Sequence, residues 1–124
     1  MGTSWRAWCS GPRLQLDGDD VLVTFDNGRK HRVRVQETDD TFEMHAVVAR
    51  APAVASVTNL ALRVWLRNRS SQLVGFRIDA RGAVRAQGWV SKAGLTAGEF
   101  QHVVRHVAAE SDRLEYILTG KDVE

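Results

Sequence analysis

The chain has 124 residues, of which 44% are hydrophobic and 26% charged, and its formal net charge is +2. That length suits one domain (residues 1–124) whose core needs no covalent staple, and the charge is too small to demand a polyanionic partner. Cys9 is the only cysteine, which excludes an intramolecular disulfide and a thiolate-built zinc site and points to a reducing compartment.

The opening stretch from Met1 to Trp8 has no apolar run long enough for a signal peptide, and Arg6 breaks the myristoylation pattern that Met1-Gly2 would begin. No segment approaches the roughly 20 apolar residues of a membrane span. The expectation is a cytoplasmic chain without a membrane partner. Asn68-Arg69-Ser70 matches a glycosylation acceptor that such a chain would not use.

Residues 1–12 read as a short segment that could pack on a sheet. After Gly11-Pro12, Leu14 and Leu16 alternate with Arg13 and Gln15, and beyond Asp17-Gly18-Asp19-Asp20 Val21, Val23 and Phe25 alternate with Leu22 and Thr24. A two-residue loop at Gly18-Asp19 sets Leu16 opposite Val21 and Leu14 opposite Val23, keeping one face apolar. At Asp26-Asn27-Gly28 a tight Asn27-Gly28 hairpin would put the valines of the two strands on opposite faces. A three-residue loop with Gly28 left-handed instead pairs Val21 with Val33 and Val23 with His31. The apolar face selects the three-residue loop. Val33 and Val35 then point inward, and Lys30, Arg32 and Arg34 outward. After Thr38-Asp39-Asp40, a fourth strand carries Phe42, Met44, Ala46 and Val48 inward, with Glu43 and His45 outward.

Pro52 ends that strand and opens a predicted helix from Ala53 to Arg67. Its apolar positions (Val54, Val57, Leu60, Leu62, Val64, Trp65 and Leu66 among them) leave only Asn59, Arg63 and Arg67 as a polar strip, so the helix should bury more than one side. Leu73 to Asp79 and Ala83 to Val90 form a second hairpin, with Gly82 left-handed in its loop. Ile78 then pairs with Val84, Phe76 with Ala86, and Val74 with Gly88. The opposite face carries Arg77, Arg85 and Gln87 together with the pair Leu73 and Trp89. A capping box, Thr96-Ala97-Gly98-Glu99, starts the last helix, whose apolar face is Phe100, Val103, Val104, Val107 and Ala108. Leu114, Ile117 and Leu118 continue it past a possible kink at Ser111-Asp112.

The constellations that suggest chemistry are weak. Glu99, His102 and His106 share one side of a helix at metal-binding spacing, but that side lies opposite Phe100, Val103 and Val107 and should face water. Asp19-Asp20 and Asp39-Asp40 sit in turns, where Asp is favoured for bonding nearby backbone. Cys9 has no neighbouring base. No phosphate-cradling glycine loop occurs. The expectation is therefore no catalytic residue, no metal and no cofactor. The run from Arg29 to Arg34 could meet nucleic acid through Lys30, Arg32 and Arg34, but sheets that read RNA need aromatic platforms beside the charge, and here Leu22 and Thr24 are the neighbours. Trp89 and Leu73 differ in kind, because a Trp seldom faces bare solvent on a sheet. Two explanations stay open: the Trp5–Trp8 segment folds over the pair, or the pair is a binding surface for a peptide or a second subunit.

Several stretches carry a family resemblance. Val64-Trp65-Leu66-Arg67-Asn68 ends a helix, and Leu73-Val74-Gly75-Phe76-Arg77-Ile78-Asp79 is followed by a second strand over Ala83 to Val90. Gly94-Leu95-Thr96-Ala97-Gly98-Glu99-Phe100 then leads into a helix ending Ala108-Ala109-Glu110-Ser111-Asp112-Arg113-Leu114-Glu115-Tyr116. From Leu60 to Leu118 the chain thereby resembles the YbjN-like proteins and the type III secretion chaperone-like superfamily to which they belong. The resemblance implies an α+β fold, small cytoplasmic non-enzymatic dimers, and capture of protein segments on exposed apolar surface. The expected architecture is one antiparallel sheet of five or six strands with two main helices, in the order β-β-β-β-α-β-β-α. Expected roles are peptide binding at Leu73 and Trp89 and homodimerisation through Leu60, Leu62, Trp65 and Leu66. Alternatives are a nucleic-acid adaptor using the basic sheet face and a small-ligand domain with a pocket between sheet and helices.

Overall fold

Each hairpin takes the register that its apolar alternation requires. In a computed structural model describing residues 4–9 and 11–120, strand β1 (Leu14–Asp17) pairs with β2 (Asp20–Thr24), setting Leu16 opposite Val21 and Leu14 opposite Val23. Strand β3 (Lys30–Glu37) pairs with β2 through Val21–Val33 and Val23–His31. Gly28 closes that loop at φ +85°, in the left-handed region that a side chain would disfavour. Met1-Gly2, where a lipidation pattern would start, lie outside the described residues.

Strand β4 (Thr41–Ala49) follows, then β5 (Gly75–Ile78) and β6 (Val84–Ser91), giving one antiparallel six-stranded sheet in the order β1-β2-β3-β4-β6-β5. The β5–β6 loop is three residues with Gly82 left-handed, and the ladder pairs Ile78 with Val84 and Phe76 with Ala86. Asp79 holds the loop by accepting from the Arg85 side chain and from the backbone N–H groups of Ala83 and Arg81, which draws its carboxyl down to about 2. The α+β architecture that the resemblance implied is thus present, as one antiparallel sheet of six strands with its helices.

Between β4 and β5 the chain departs from the predicted single helix over Ala53 to Arg67. A one-turn helix α1 (Ala51–Val54) and a separate helix α2 (Leu60–Ser70) are divided by Asn59, whose φ of +58° is left-handed. Ser56, Thr58 and Asn59 are residues whose side chains compete for backbone groups, and Asn tolerates that conformation better than most. The split also removes the expected two-sided burial. Val64 is the only buried residue of α2, and Leu60 is half-buried against the core.

Helix α3 (Ala97–Thr119) runs through Ser111-Asp112 as one 23-residue helix, capped by Thr96, whose hydroxyl accepts from the Glu99 N–H at 3.1 Å and donates to the Glu99 carboxylate at 3.1 Å. It lies across β4, β6 and β3 on one side of the sheet. Phe100, Val104, Val107 and Leu114 fill the space between them with Val33, Met44, Val48 and Val84. A 3-10 helix, Trp5–Cys9, closes the N-terminal end of this core.

Candidate protein-binding surface

Among the described residues, α3 packs on one side of the sheet and α2 on β5, and the other face stays open. Ladder parity places Leu22, Arg32, Arg34, Glu43, His45, Val47, Arg85, Gln87 and Trp89 on that face. Trp89 stands across from Glu43 and is 64% exposed. The Trp5–Trp8 segment does not cover it. Trp5 is buried against Phe100, and the Trp8 ring lies 5.3 Å from Phe100 and 6.1 Å from Phe42, all on the helix side. These tryptophans cap the core because an aromatic cluster already waits there.

Leu73 is equally exposed but is not the cross-strand partner of Trp89. The β5–β6 ladder ends at Gly75–Gln87, short of Val74–Gly88, and Leu73 takes a left-handed φ of +66° before the strand begins. The Leu73 carbonyl oxygen comes within 3.2 Å of where a Cβ on Gly88 would sit. A glycine at 88 leaves room for this close approach, which draws the chain out of the ladder.

Helix α2 lies along the outer edge of β5. The Asn68 side chain donates to the Phe76 carbonyl at 2.8 Å and accepts from the Phe76 N–H at 2.7 Å, standing in for a neighbouring strand at a sheet edge. With Asn68 facing β5 and Val64 facing the core, Leu62, Trp65 and Leu66 are left about half exposed. Lone surface apolar residues are ordinary, but three large ones within five residues of one helix form a patch.

The cations on the open face are largely engaged. Arg34 and Arg32 both donate to Asp20, at 2.8 and 3.1 Å, and Arg32 also reaches Asp17 at 2.7 Å. Burial alone would raise the Asp20 carboxyl, but the two guanidinium bonds outweigh it and hold the group below its ordinary value. Lys30 is exposed at the start of β3. Near these side chains the sheet parts. The β3–β4 ladder stops at Arg34–His45, while the first half of β3 stays with β2. A cleft of about 640 Å³ opens there, lined by Arg34, Arg50, Arg85, His45 and His31 among others. Burial lowers the His45 pKa, opposed by Glu43 and assisted by Arg77 and Arg85.

The other sequence candidates are dispersed. Glu99 serves the helix cap, and His106 donates to the Gln72 carbonyl at 2.8 Å, with the His102 ring 6.0 Å away. Asp19 pairs with Arg6, and Asp40 accepts from the Thr38 hydroxyl at 3.4 Å. Cys9 is buried, its Sγ 3.7 Å from the Trp5 carbonyl, and burial pushes its thiol up against the opposing pull of Arg105. The constellation that sequence reasoning missed is internal. His31, Asp112 and Glu115 are all buried, with ligand atoms within 4.8 Å of one another. Its signal was present as two acids three apart on the apolar side of α3, where Ser111-Asp112 suggests a kink instead.

No family model matches the sequence, and no curated protein matches it. Solved structures do match. A chain of the ExsC–ExsE complex is 17% identical, with a TM-score of 0.60 over 87% of this chain and 83% of that one. YbjN from E. coli is 19% identical, with a TM-score of 0.55 over 93% and 86% of the two chains. The type III secretion chaperone SycH of Yersinia pestis, solved in complex with a stable fragment of YscM2, is 8% identical, with a TM-score of 0.51 over 82% and 85%. At such identities the likeness is one of fold. Among the described residues, no helix is long and apolar enough to cross a membrane.

Proposed function

We propose, from the fold shared with YbjN and SycH, that this chain is a non-enzymatic, cytoplasmic module that binds an extended segment of a partner protein. The observation that carries this is Trp89, exposed on a sheet face that no helix among the described residues covers. Two of the similar structures, the ExsC–ExsE complex and SycH with a fragment of YscM2, hold a chain of this fold together with a second protein. Aromatic anchors in partly desolvated surroundings dominate protein interfaces, and an extended segment laid along an open sheet surface is a recurring recognition mode. Leu73 contributes exposed apolar area from the chain segment ahead of β5, not as a cross-strand neighbour of Trp89. The acidic partners of Arg32 and Arg34 disfavour the nucleic-acid alternative, since cations already bonded to Asp17 and Asp20 release few counterions on meeting phosphate.

Peptides selected on the immobilised protein from a random 15-residue library are a suitable probe. Trp89→Ala should weaken them at least about tenfold, equivalent to about 1.4 kcal/mol. The thermal midpoint should stay unchanged, because little of this ring is buried. Peptides that bind the variant as well as the parent would place the binding site elsewhere.

The same reading gives α2 a second copy of the chain as its cover, through Leu62, Trp65 and Leu66. Leu60 has a smaller share because it already leans on the core. Closed two-fold pairing is the commonest way to bury such a patch. Light scattering should return twice the chain mass of 13.8 kDa at high micromolar concentration, and Trp65→Glu should return the chain mass itself. A parent protein that scatters as a monomer would remove the dimer and leave the Trp89 site standing.

A further inference from the structure

We propose that His31, Asp112 and Glu115 form a buried binding site for one divalent transition-metal ion of the zinc class. The proposal is independent of the reading of Trp89. Asp112 and Glu115 lie three residues apart on α3, so both project from the same face, and that face is turned into the core between Ala108 and Leu118. His31 meets them from the inward side of β3, where its neighbours in parity, Val33 and Val35, are apolar. One ligand atom from each of the three lies within 4.8 Å of the others. One imidazole and two carboxylates form an N/O ligand set suited to zinc, leaving a fourth position for water.

Three further observations favour a cation over a purely structural ion-pair cluster. The first is Asp112 Oδ1, which is buried and has no hydrogen-bond partner among the described residues, while Oδ2 accepts from Arg29. A buried carboxylate oxygen without a partner is costly, and a metal bond would satisfy it. The second is the support around the ligands. His31 Nε2 donates to the Val47 carbonyl at 2.8 Å, so Nδ1 is the nitrogen through which the ring would bind. A ligating histidine fixed by a backbone carbonyl through its other nitrogen, and a ligating carboxylate held by a second hydrogen bond, are the usual outer shell of a metal site. The third is access. His31 lines the cleft where β3 and β4 part, and Asp112 and Arg29 line a second cleft of about 290 Å³ beside Tyr116 and Ile117. Ser111 takes no part, because its hydroxyl is bonded back to the Val107 carbonyl at 2.7 Å.

The test uses the full chain without an affinity tag, stripped with a chelator and titrated with Zn²⁺ in a calorimeter. About one ion should bind per chain, raising the thermal midpoint by roughly 5–10 °C at hundredfold excess over Kd. Loss of a supporting group costs metal sites roughly 10–100-fold in affinity, so His31→Gln, Asp112→Asn and Glu115→Gln should each weaken Zn²⁺ by more than that lower bound. His102→Ala/His106→Ala, which removes the surface histidine pair, should change nothing. X-ray absorption of the zinc-loaded parent should show only nitrogen and oxygen neighbours at about 2.0–2.2 Å, a readout that stands even if a core variant fails to fold. Three results would overturn the site: no binding by the parent, binding that disappears with His102 and His106 yet survives Glu115→Gln, or a sulfur neighbour implicating Cys9.

Discussion

Phe100→Ala should lower the thermal midpoint by roughly 10–20 °C and expose Cys9 to thiol reagents. Phe100 is fully buried in the first turn of α3, within 5.2–6.0 Å of the rings of Phe42, Trp8 and Trp5. Truncating a core phenylalanine costs about 3–5 kcal/mol, from lost transfer energy and the cavity left behind. At this chain length each kcal/mol moves the midpoint by several degrees. The effect should be larger locally than globally, because the 3-10 helix is held mainly by this aromatic cluster and by contact with α3 and β1. Cys9 ends that helix and is the only thiol in the chain, so the rate of its modification reports the segment alone. Slow modification in the variant, at the parent's rate, would show that something other than Phe100 seats the segment.

Gly88→Ala should destabilise the protein by about 1–3 kcal/mol, as expected for overpacking a filled core. The added Cβ would stand 2.9 Å from Val107 Cγ2, 3.2 Å from the Leu73 carbonyl oxygen and 3.7 Å from Val103 Cγ1. The first distance is shorter than such contacts allow, and Val107 is fully buried with nowhere to retreat. The second neighbour is backbone, in a segment already turned left-handed at Leu73. Chemical denaturation of Gly88→Ala, Val107→Ala and the double variant gives a thermodynamic cycle. The double variant should be more stable than the sum of the single losses predicts, since shortening Val107 makes the space the new methyl needs. Simple additivity would mean that the clash is relieved through Leu73 instead.

A conformationally simple rule explains why so much of the sheet was readable from the sequence. Apolar alternation in β1, β2, β3 and β4 admits one register per hairpin, and Gly28 and Gly82 supply the left-handed residue that a three-residue loop demands. Strand parity then fixed the sheet face that carries Trp89 and the outward placing of Arg32 and Arg34. The helix α3 was equally legible through its capping box and its five-residue apolar face. All of these signals act between residues close in sequence, where backbone geometry leaves few alternatives.

What the sequence did not decide depends on contacts between distant segments. Asn59 breaks the helix predicted from Ala53 because the chain must both leave β4 and reach the edge of β5, where Asn68 bonds to Phe76. Leu73 leaves the ladder because Gly88, fifteen residues on, has no side chain to keep its carbonyl away. Trp5 and Trp8 pass over the open sheet face in favour of the core end, since Phe42 and Phe100 offer apolar area there. His31 lies some eighty residues before Asp112 and Glu115, and no periodicity links a strand histidine to two helix acids. Local patterning sets which face of each element is apolar. Only the packing of those faces decides which polar side chains are enclosed with them, because that enclosure belongs to the space between elements and to none of them singly.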